Sequence, residues 1–337
     1  MISLVCPIYN EEKYIDVFLK SITKQDYPKK DMEVLLVDGM STDNTRNIIS
    51  KYIKKYPFIH LLDNPQRTSS YAMNTGIKAA QGEYIIRMDA HADYPLNYLK
   101  QLVHYSKTLD NAQNVGGVCI TLPCNKTNEA LAISEVLSSP FGMGNSYFRT
   151  GTDQIKQVDT VPFGCFRKTI FDEIGYFDTD LIRNQDDEFN GRIIRNGGNI
   201  YLIPDIRIKY FARDKVAKIR KMFYQYGLYK PLVNKKLGAP ATIRQFFPLL
   251  FLLGLVIGGI ISIFLFWARY IYLFVISLYL LIGLILGGMV AIRSDKPSLI
   301  LWMPYVFLSV HLSYGWGYLC GLYKIAFNKK YNVKYNR

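Results

Sequence analysis

Three long apolar runs crowd the C-terminal part of the chain: Phe247 to Trp267, Tyr270 to Ile292 and Leu299 to Leu322. Each reaches or exceeds the ~20 residues that a helix needs to cross ~30 Å of hydrocarbon. Charge follows the same division. Residues 1–204 hold 22 basic and 24 acidic side chains, whereas residues 205–244 hold 11 basic and 2 acidic, and residues 322–337 add five basic groups and no acid. The excess of 41 Lys+Arg over 27 Asp+Glu therefore lies entirely beside the apolar runs. Cations flanking candidate spans select anionic lipid, not nucleic acid, as the partner of the positive region. Half of the residues are apolar and 20% charged, which excludes disorder, because such a chain can bury enough surface to offset its ordering entropy.

The expected organisation is a soluble α/β region over residues 1–212, a basic amphipathic helix region over 213–246, transmembrane or re-entrant helices over 247–322 and a basic tail over 323–337. The opening MISLVCPIYNEE has no basic stretch and reaches an acidic pair too early for a signal peptide, so the soluble region is expected on the cytoplasmic side of a plasma membrane. Five scattered cysteines, Cys6, Cys119, Cys124, Cys165 and Cys320, read as free thiols.

Within the soluble region, strand-like and helical patterns alternate. Ile2 to Val5 is a short β-type run, followed by Tyr14, Phe18, Leu19 and Ile22 at helical spacing. MEVLLVDGMSTDNT reads as a buried strand ending at Val37, a polar turn and a helix from about Asp43. HLLDN, SSYAMNTGIKAAQ and EYIIRMDAHAD then read as strand, helix and strand. Such alternation predicts a mostly parallel sheet whose ligand site lies beyond the carboxyl ends of its strands. The loops after Val5, Val37 and Met88 leave that edge together, so Asn10, Asp38, Asp89, His91 and Asp93 are expected to share one cleft. Neither G-x-G-x-x-G nor G-x-x-x-x-G-K-[ST] occurs, which argues against ordinary dinucleotide enzymes and P-loop kinases. Further on, NQDDEFNGRIIRNGG places Asp186 and Asp187 at the start of a helix, either as capping residues or as chemistry.

PIYNEE, VDGMSTDNT, MNTGIKAAQGEYIIRMDAHADY, VPFGCFRK, GYFD and NQDDEFN occur in the order found in family-2 glycosyltransferases. Together they resemble most the membrane-attached exopolysaccharide enzymes of the succinoglycan-synthesis type, closely over residues 2–230 and less specifically beyond. The resemblance implies an A-type nucleotide-diphospho-sugar transferase fold, inversion at the anomeric carbon and a divalent cation, Mn²⁺ or Mg²⁺.

Glycosyl transfer needs a held nucleotide, a stabilised diphosphate leaving group and a base for the acceptor hydroxyl. By resemblance, Pro7, Tyr9, Asn10 and Glu11 form the nucleoside loop and Asp38 contacts the base. A plain Asx turn by Asp38 with Gly39 and Ser41 is the competing reading. Period-2 alternation in an extended YIIRMDAHAD would project Asp89, His91 and Asp93 to one side, at the family's DxD position, as ligands of a metal bridging both phosphates. His91 stands where that pattern has a carboxylate, tilting the choice toward Mn²⁺; it either ligates the ion, orients Asp89 or touches phosphate. Asp186 falls at the family's catalytic base, with Asp187 its competitor and Gln185 replacing the usual Glu. Gly164 is expected to let sugar or acceptor approach the backbone, and Arg87, Arg149 or Arg167 to meet phosphate.

YQYGLYK lacks the Q-x-x-R-W segment of processive synthases, so a single addition is expected. The donor is a nucleotide-diphospho-sugar and the acceptor a polyprenyl-diphosphate-linked oligosaccharide. Direct transfer to polyprenyl phosphate, or a non-catalytic membrane scaffold, are the alternatives. DKVAKIRKMFYQYG puts Val216, Ile219, Phe223 and Tyr226 on one stripe edged by cations, the pattern of a helix lying in the lipid interface. Three spans would export Lys324, Lys329, Lys330, Lys334 and Arg337 against the positive-inside rule. The third run, interrupted by Pro304, His311, Gly315 and Gly317, is therefore expected to be re-entrant or interfacial.

Overall fold

The computed structural model describes residues 1–240 and 242–331. In chain order the first elements are β1 (Ile2–Ile8), α1 (Ile15–Thr23), β2 (Met32–Asp38), α2 (Thr45–Lys55), β3 (Ile59–Asp63), α3 (Ser69–Ala79) and β4 (Tyr84–Arg87). Next come β5 (Ala92–Asp93), α4 (Tyr98–Thr108), β6 (Ala112–Leu122), α5 (Asn128–Ser138) and the short α6 (Pro140–Met143) and α7 (Tyr147–Thr150). They are followed by β7 (Lys156–Gln157), β8 (Cys165–Arg167), α8 (Thr169–Ile174), α9 (Gln185–Arg195) and β9 (Asn199–Phe211). Four long helices complete the chain: α10 (Val216–Leu237), α11 (Phe247–Phe264), α12 (Phe266–Ser294) and α13 (Leu299–Ala326).

The chain divides into two compact units, residues 1–120 with 151–210 and residues 121–150 with 211–331. The first unit contains the sheet, in the order β3-β2-β1-β4-β8-β6-β9-β5, with β7 on β9. β1 pairs in parallel with both β2 and β4, and β2 with β3. Every residue of β2 is buried, as expected of a strand covered on both faces. Helix α1 buries Ile15, Phe18, Leu19 and Ile22, one stripe at helical spacing. Gly76 of α3 is there because a Cβ at that position would meet Val5 of β1 and Val37 of β2; the missing side chain lets the helix sit tightly on both strands. β8 joins β4 and β6 antiparallel, so the second half of the sheet departs from the parallel pattern of the first.

The fourth strand is shorter than the sequence pattern predicts. β4 stops at Arg87, and the chain turns at once: the Asp89 carboxylate accepts the backbone N–H of His91 at 2.9 Å, and Ala92 N–H reaches the Asp89 carbonyl at 3.3 Å. This is an Asx turn, in which a short acceptor side chain captures a local N–H that a strand would spend on its neighbour. Ala92 and Asp93 then pair with Tyr210 and Lys209 of β9. Asp89, His91 and Asp93 consequently do not alternate along one strand.

The second unit is helical. Val216, Ile219 and Phe223 of α10 are buried in one cluster with Ala132, Ile133 and Val136 of α5 and Met303, Val306 and Phe307 of α13. The apolar stripe of α10 is thus covered by protein, not by lipid as the sequence pattern suggests. α13 is one continuous helix, unbroken at Pro304, His311, Gly315 and Gly317. Gly317 and Gly321 let it approach α10 so closely that a Cβ would strike the carbonyls of Tyr224 and Leu228; Pro304 faces Gly283 of α12. The residues that look like interruptions are contact points between helices, the usual role of small residues where helices associate in a bilayer. Among the described residues three helices, Ile243–Phe264, Phe266–Ser294 and Leu299–Ala326, are long and apolar enough to span a membrane. Lys334 and Arg337 of the basic tail lie outside the described residues.

Candidate active site

The loop after β1 is fastened to the loop after β2. Asn10, in the left-handed region at φ 54°, accepts the Thr42 N–H at 2.9 Å and donates its own N–H to the Ser41 hydroxyl at 2.8 Å. Glu11 N–H donates to the buried Thr45 hydroxyl at 2.8 Å. Tyr9 packs its ring against Gly39, 3.3 Å from where a Cβ would stand, and Arg67 lies over that ring, 5.9 Å from its centroid. Pro7 is half-buried at the end of β1.

Asp38 is fully buried. Its carboxylate accepts the Ser41 N–H at 3.1 Å, the Ser41 hydroxyl at 2.5 Å and Arg46 Nη1 at 2.7 Å, and the same Arg46 nitrogen reaches Asp63 at 2.7 Å. The Asx turn with Ser41 is therefore real, and Asp38 also anchors Arg46. The carboxylate is enclosed and held by Ser41 and Arg46. Arg46 and Asp63 were not singled out by sequence, since they lie on different elements, α2 and β3, 17 residues apart.

His91 sits between two acids, with Nε2 3.0 Å from Glu11 and Nδ1 3.1 Å from Asp89. Burial disfavours the charged ring, but the hydrogen bonds to Asp89 and Glu11 outweigh it and push its pKa up to about 9. With a carboxylate near each ring nitrogen, His91 bridges Asp89 and Glu11 and orients both. Asp93 is paired with Lys209 at 3.1 Å on the β5–β9 ladder. Among the described residues no group of three or more His, Cys, Asp or Glu side chains is arranged to hold a metal ion. The expected set of Asp89, His91 and Asp93 is thus not a cage. What does fit is one hard oxygen donor, Asp89, with about a third of its side chain exposed (36%) at the end of β4; a small divalent ion bound by one carboxylate and completed by substrate phosphates has that demand.

Asp186 opens α9, where Asp186, Asp187 and Glu188 all lie in the first turn, after Asn184 in a left-handed conformation. The three acids have different fates. Glu188 is buried and forms a two-pronged ion pair with Arg192, 2.7 and 2.9 Å, which ties the helix to the carbonyls of Ile174 and Tyr176. Asp187 is half-buried. Asp186 forms an ion pair with Arg87 at the end of β4 and keeps 34% of its side chain exposed. Burial works against the charge of Arg87, and Asp186 followed by Asp89 more than restores it, so the guanidinium remains a cation between the two acids. Arg167, by contrast, is spent on the carbonyls of Ala112 and Ser106 and serves the fold. Arg149 belongs to the second unit.

Gly164 has a different purpose from the one expected. A Cβ there would collide with the Asn114 carboxamide, whose Nδ2 donates to Asn190 at 2.9 Å; Asn190 in turn donates to Thr160 at 2.8 Å. The group that approaches the Gly164 backbone is thus a buried amide that holds α9 to β6, not a sugar. Sequence offered no signal for this chain of amides, because its members are 76 and 30 residues apart.

Asn10, Glu11, Asp89 and Asp186 thus gather around the ends of β1 and β4, connected through His91 and Arg87, with Asp38 one layer behind. Comparison with known proteins gives the family. The chain is 32% identical over 333 residues to a dolichyl N-acetyl-α-D-glucosaminyl phosphate 3-β-D-2,3-diacetamido-2,3-dideoxy-β-D-glucuronosyltransferase of Methanococcus voltae, covering 96% of this chain and 97% of that one. It is 28% identical to the succinoglycan biosynthesis protein ExoA of Rhizobium meliloti over 73% of this chain and 74% of that one. Among solved structures, the mannosyltransferase PcManGT of Pyrobaculum calidifontis, in complex with GDP-Man and Mn²⁺, superposes with a TM-score of 0.59 at 19% identity over 97% of this chain and 87% of that one, a likeness of fold. Residues 3–175 match the family described as Glycosyl transferase family 2, and with that match the chain belongs to this family.

Proposed function

We propose that the protein is an inverting, single-addition glycosyltransferase that moves a sugar from a nucleotide-diphosphate donor to a polyprenyl-linked saccharide at the cytoplasmic face of the plasma membrane, in exopolysaccharide-type assembly. The name of the Methanococcus relative supports a lipid-linked acceptor, that of the Rhizobium relative an exopolysaccharide-type setting, and the three apolar helices support a membrane setting. The observation that carries the reading is the Arg87–Asp186 ion pair, which joins the acidic turn of α9 to the strand end that bears Asp89 across 99 residues of sequence.

The chemistry follows from that juxtaposition. The loops 7–11 and 38–46 hold the nucleoside, with Tyr9 as the apolar wall and Asp38 and Arg46 as its frame. Asp89 would hold a divalent ion, which supplies positive charge to the departing diphosphate when bound. Asp186 takes the proton from the acceptor hydroxyl as that oxygen attacks the anomeric carbon, and Arg87 fixes the carboxylate's position. Its exposed third leaves the carboxylate within reach of a hydroxyl. Single displacement gives inversion, because attack and departure occur on opposite faces of the sugar.

The test is transfer by the full chain in detergent or nanodiscs, with a panel of nucleotide sugars, Mn²⁺ or Mg²⁺ and lipid-linked saccharides as acceptors. An extended lipid-linked product of inverted configuration is expected. A monosaccharyl phospholipid formed from bare polyprenyl phosphate would replace the acceptor assigned here, and retention of configuration would remove the base role of Asp186.

A further inference from the structure

Within the second unit, α11 and α12 enclose a cavity of about 360 Å³. Its walls include Leu250, Gly254, Gly258 and Ile261 of α11 and Trp267 and Tyr272 of α12, with Phe251 and aliphatic side chains filling the rest. The Tyr272 hydroxyl donates to the Leu255 carbonyl at 3.2 Å. Gly254 forms open floor: a Cβ built there meets nothing within 4 Å. The groove follows α11 from Leu250 to Ile261, about 17 Å at 1.5 Å per residue.

The end nearest Leu250 carries a cation. Arg244 precedes Leu250 by six residues, about 10 Å along the same segment. Its Nη1 donates to the backbone and side-chain oxygens of Asn145 at 3.2 and 3.0 Å, and its aliphatic stem lies beside Gly144, whose φ of 60° keeps a side chain out of the way. Ile243 next to it is 78% exposed, so this end of the segment presents an apolar and a cationic side chain together, as chains do at the lipid headgroup level.

We propose that this groove holds the isoprenoid chain of a polyprenyl phosphate or diphosphate, with Arg244 on its phosphate. The inference rests on the lipid-linked acceptor assigned above and adds where the lipid is held. The occupant is argued from charge and shape. A single methyl-branched hydrocarbon chain ending in an anion matches a largely apolar groove with a guanidinium in the segment that leads into it, and a guanidinium recognises phosphate oxygens through paired N–H donors.

Photolabelling tests it without requiring turnover. The full chain, in nanodiscs of phosphatidylethanolamine and phosphatidylglycerol, is exposed to a diazirine-bearing polyprenyl phosphate. Adducts are expected on peptides of α11 and α12 that span Leu250 to Ile276, and excess unlabelled polyprenyl phosphate should remove them. Gly254→Leu fills the floor without a clash and should lower this labelling at least fivefold. Gly288→Leu, on α12 outside the groove and equally unobstructed, should label like the parent. Arg244→Gln should reduce polyprenyl phosphate labelling to the level of an uncharged polyprenol probe. The inference is overturned if extra phosphatidylglycerol competes as well as polyprenyl phosphate, which would make the site a general lipid contact. Unchanged labelling of a folded Gly254→Leu, judged by its thermal transition, overturns it too. Specific labelling by a protein that transfers sugar to no lipid-linked acceptor would refute the proposed function and leave the groove standing, so the two failures are distinguishable.

Discussion

The two units of this protein are held together by different means. In the sheet unit the site is fixed by charged contacts between side chains far apart in sequence: Arg87 with Asp186, His91 with Glu11 and Asp89, Arg46 with Asp38 and Asp63. In the helical unit the decisive contacts are between backbones, where Gly227, Gly317 and Gly321 replace side chains with close approach. Polar groups set against one another in a partly dry site can be altered at a cost to chemistry while the scaffold stands. Helices whose carbonyls touch the glycines of a neighbour have no such tolerance. The first unit should therefore lose activity before it loses its fold, and the second should do the reverse.

Asp186→Asn gives the sharpest break. Transfer should fall by about 10³-fold, within the range for removal of a general base, while the protein still folds. Initial rates and a thermal melt on the same preparation measure both, and a rate within tenfold of the parent would move the base to Asp187. Arg87→Gln leaves the acid in place and frees its position, so kcat should drop about 10- to 100-fold with a smaller change in KM for the donor. A KM effect alone would assign Arg87 to donor binding.

The helical unit is probed by Gly317→Leu. Its Cβ would meet the Tyr224 carbonyl, so the α10–α13 crossing should lose about 3 kcal/mol or more, seen as loss of monodisperse protein after solubilisation. An unchanged melt would mean that the crossing tolerates side chains and that the contrast between the units is smaller than argued.

The pH dependence of stability isolates His91. Its pKa in the folded chain is raised from 6.5 to about 9, so its stabilising contribution is complete below about pH 6.5 and lost as pH rises through about 9. The melting temperature should decline over that window, and His91→Gln should flatten the decline. Equal slopes for both proteins would show that the imidazole is not clamped between Glu11 and Asp89. The smallest effect belongs to Asp93→Asn. An exposed pair with Lys209 is worth within ~1 kcal/mol, so both the melt and the Mn²⁺ concentration that half-activates transfer should stay near the parent values. A large shift in that concentration would restore Asp93 to the metal site.

Much of this was legible in the residues. Periodicity located β1, β2 and α1, because burial on one or two faces writes itself into local pattern. Order and spacing of motifs carried the family. Misreadings cluster where a side chain captured a partner out of turn. Asp89 took a local N–H and ended a strand that alternation would have continued. Asn114 occupied the space beside Gly164, and the stripe of α10 found α5 and α13 in place of lipid.

Composition and periodicity alone determined that a charge-balanced α/β region precedes a basic, apolar helical one, since hydrophobic burial depends on which residue types recur at which interval. Which acid pairs with which cation, and whether a glycine in α13 interrupts a helix or seats a neighbour, depended on tertiary structure. Those outcomes turn on distances of a few ångströms between residues as far apart as Asp93 and Lys209, 116 positions, and the energy of such a contact exists only once the fold has brought both partners together.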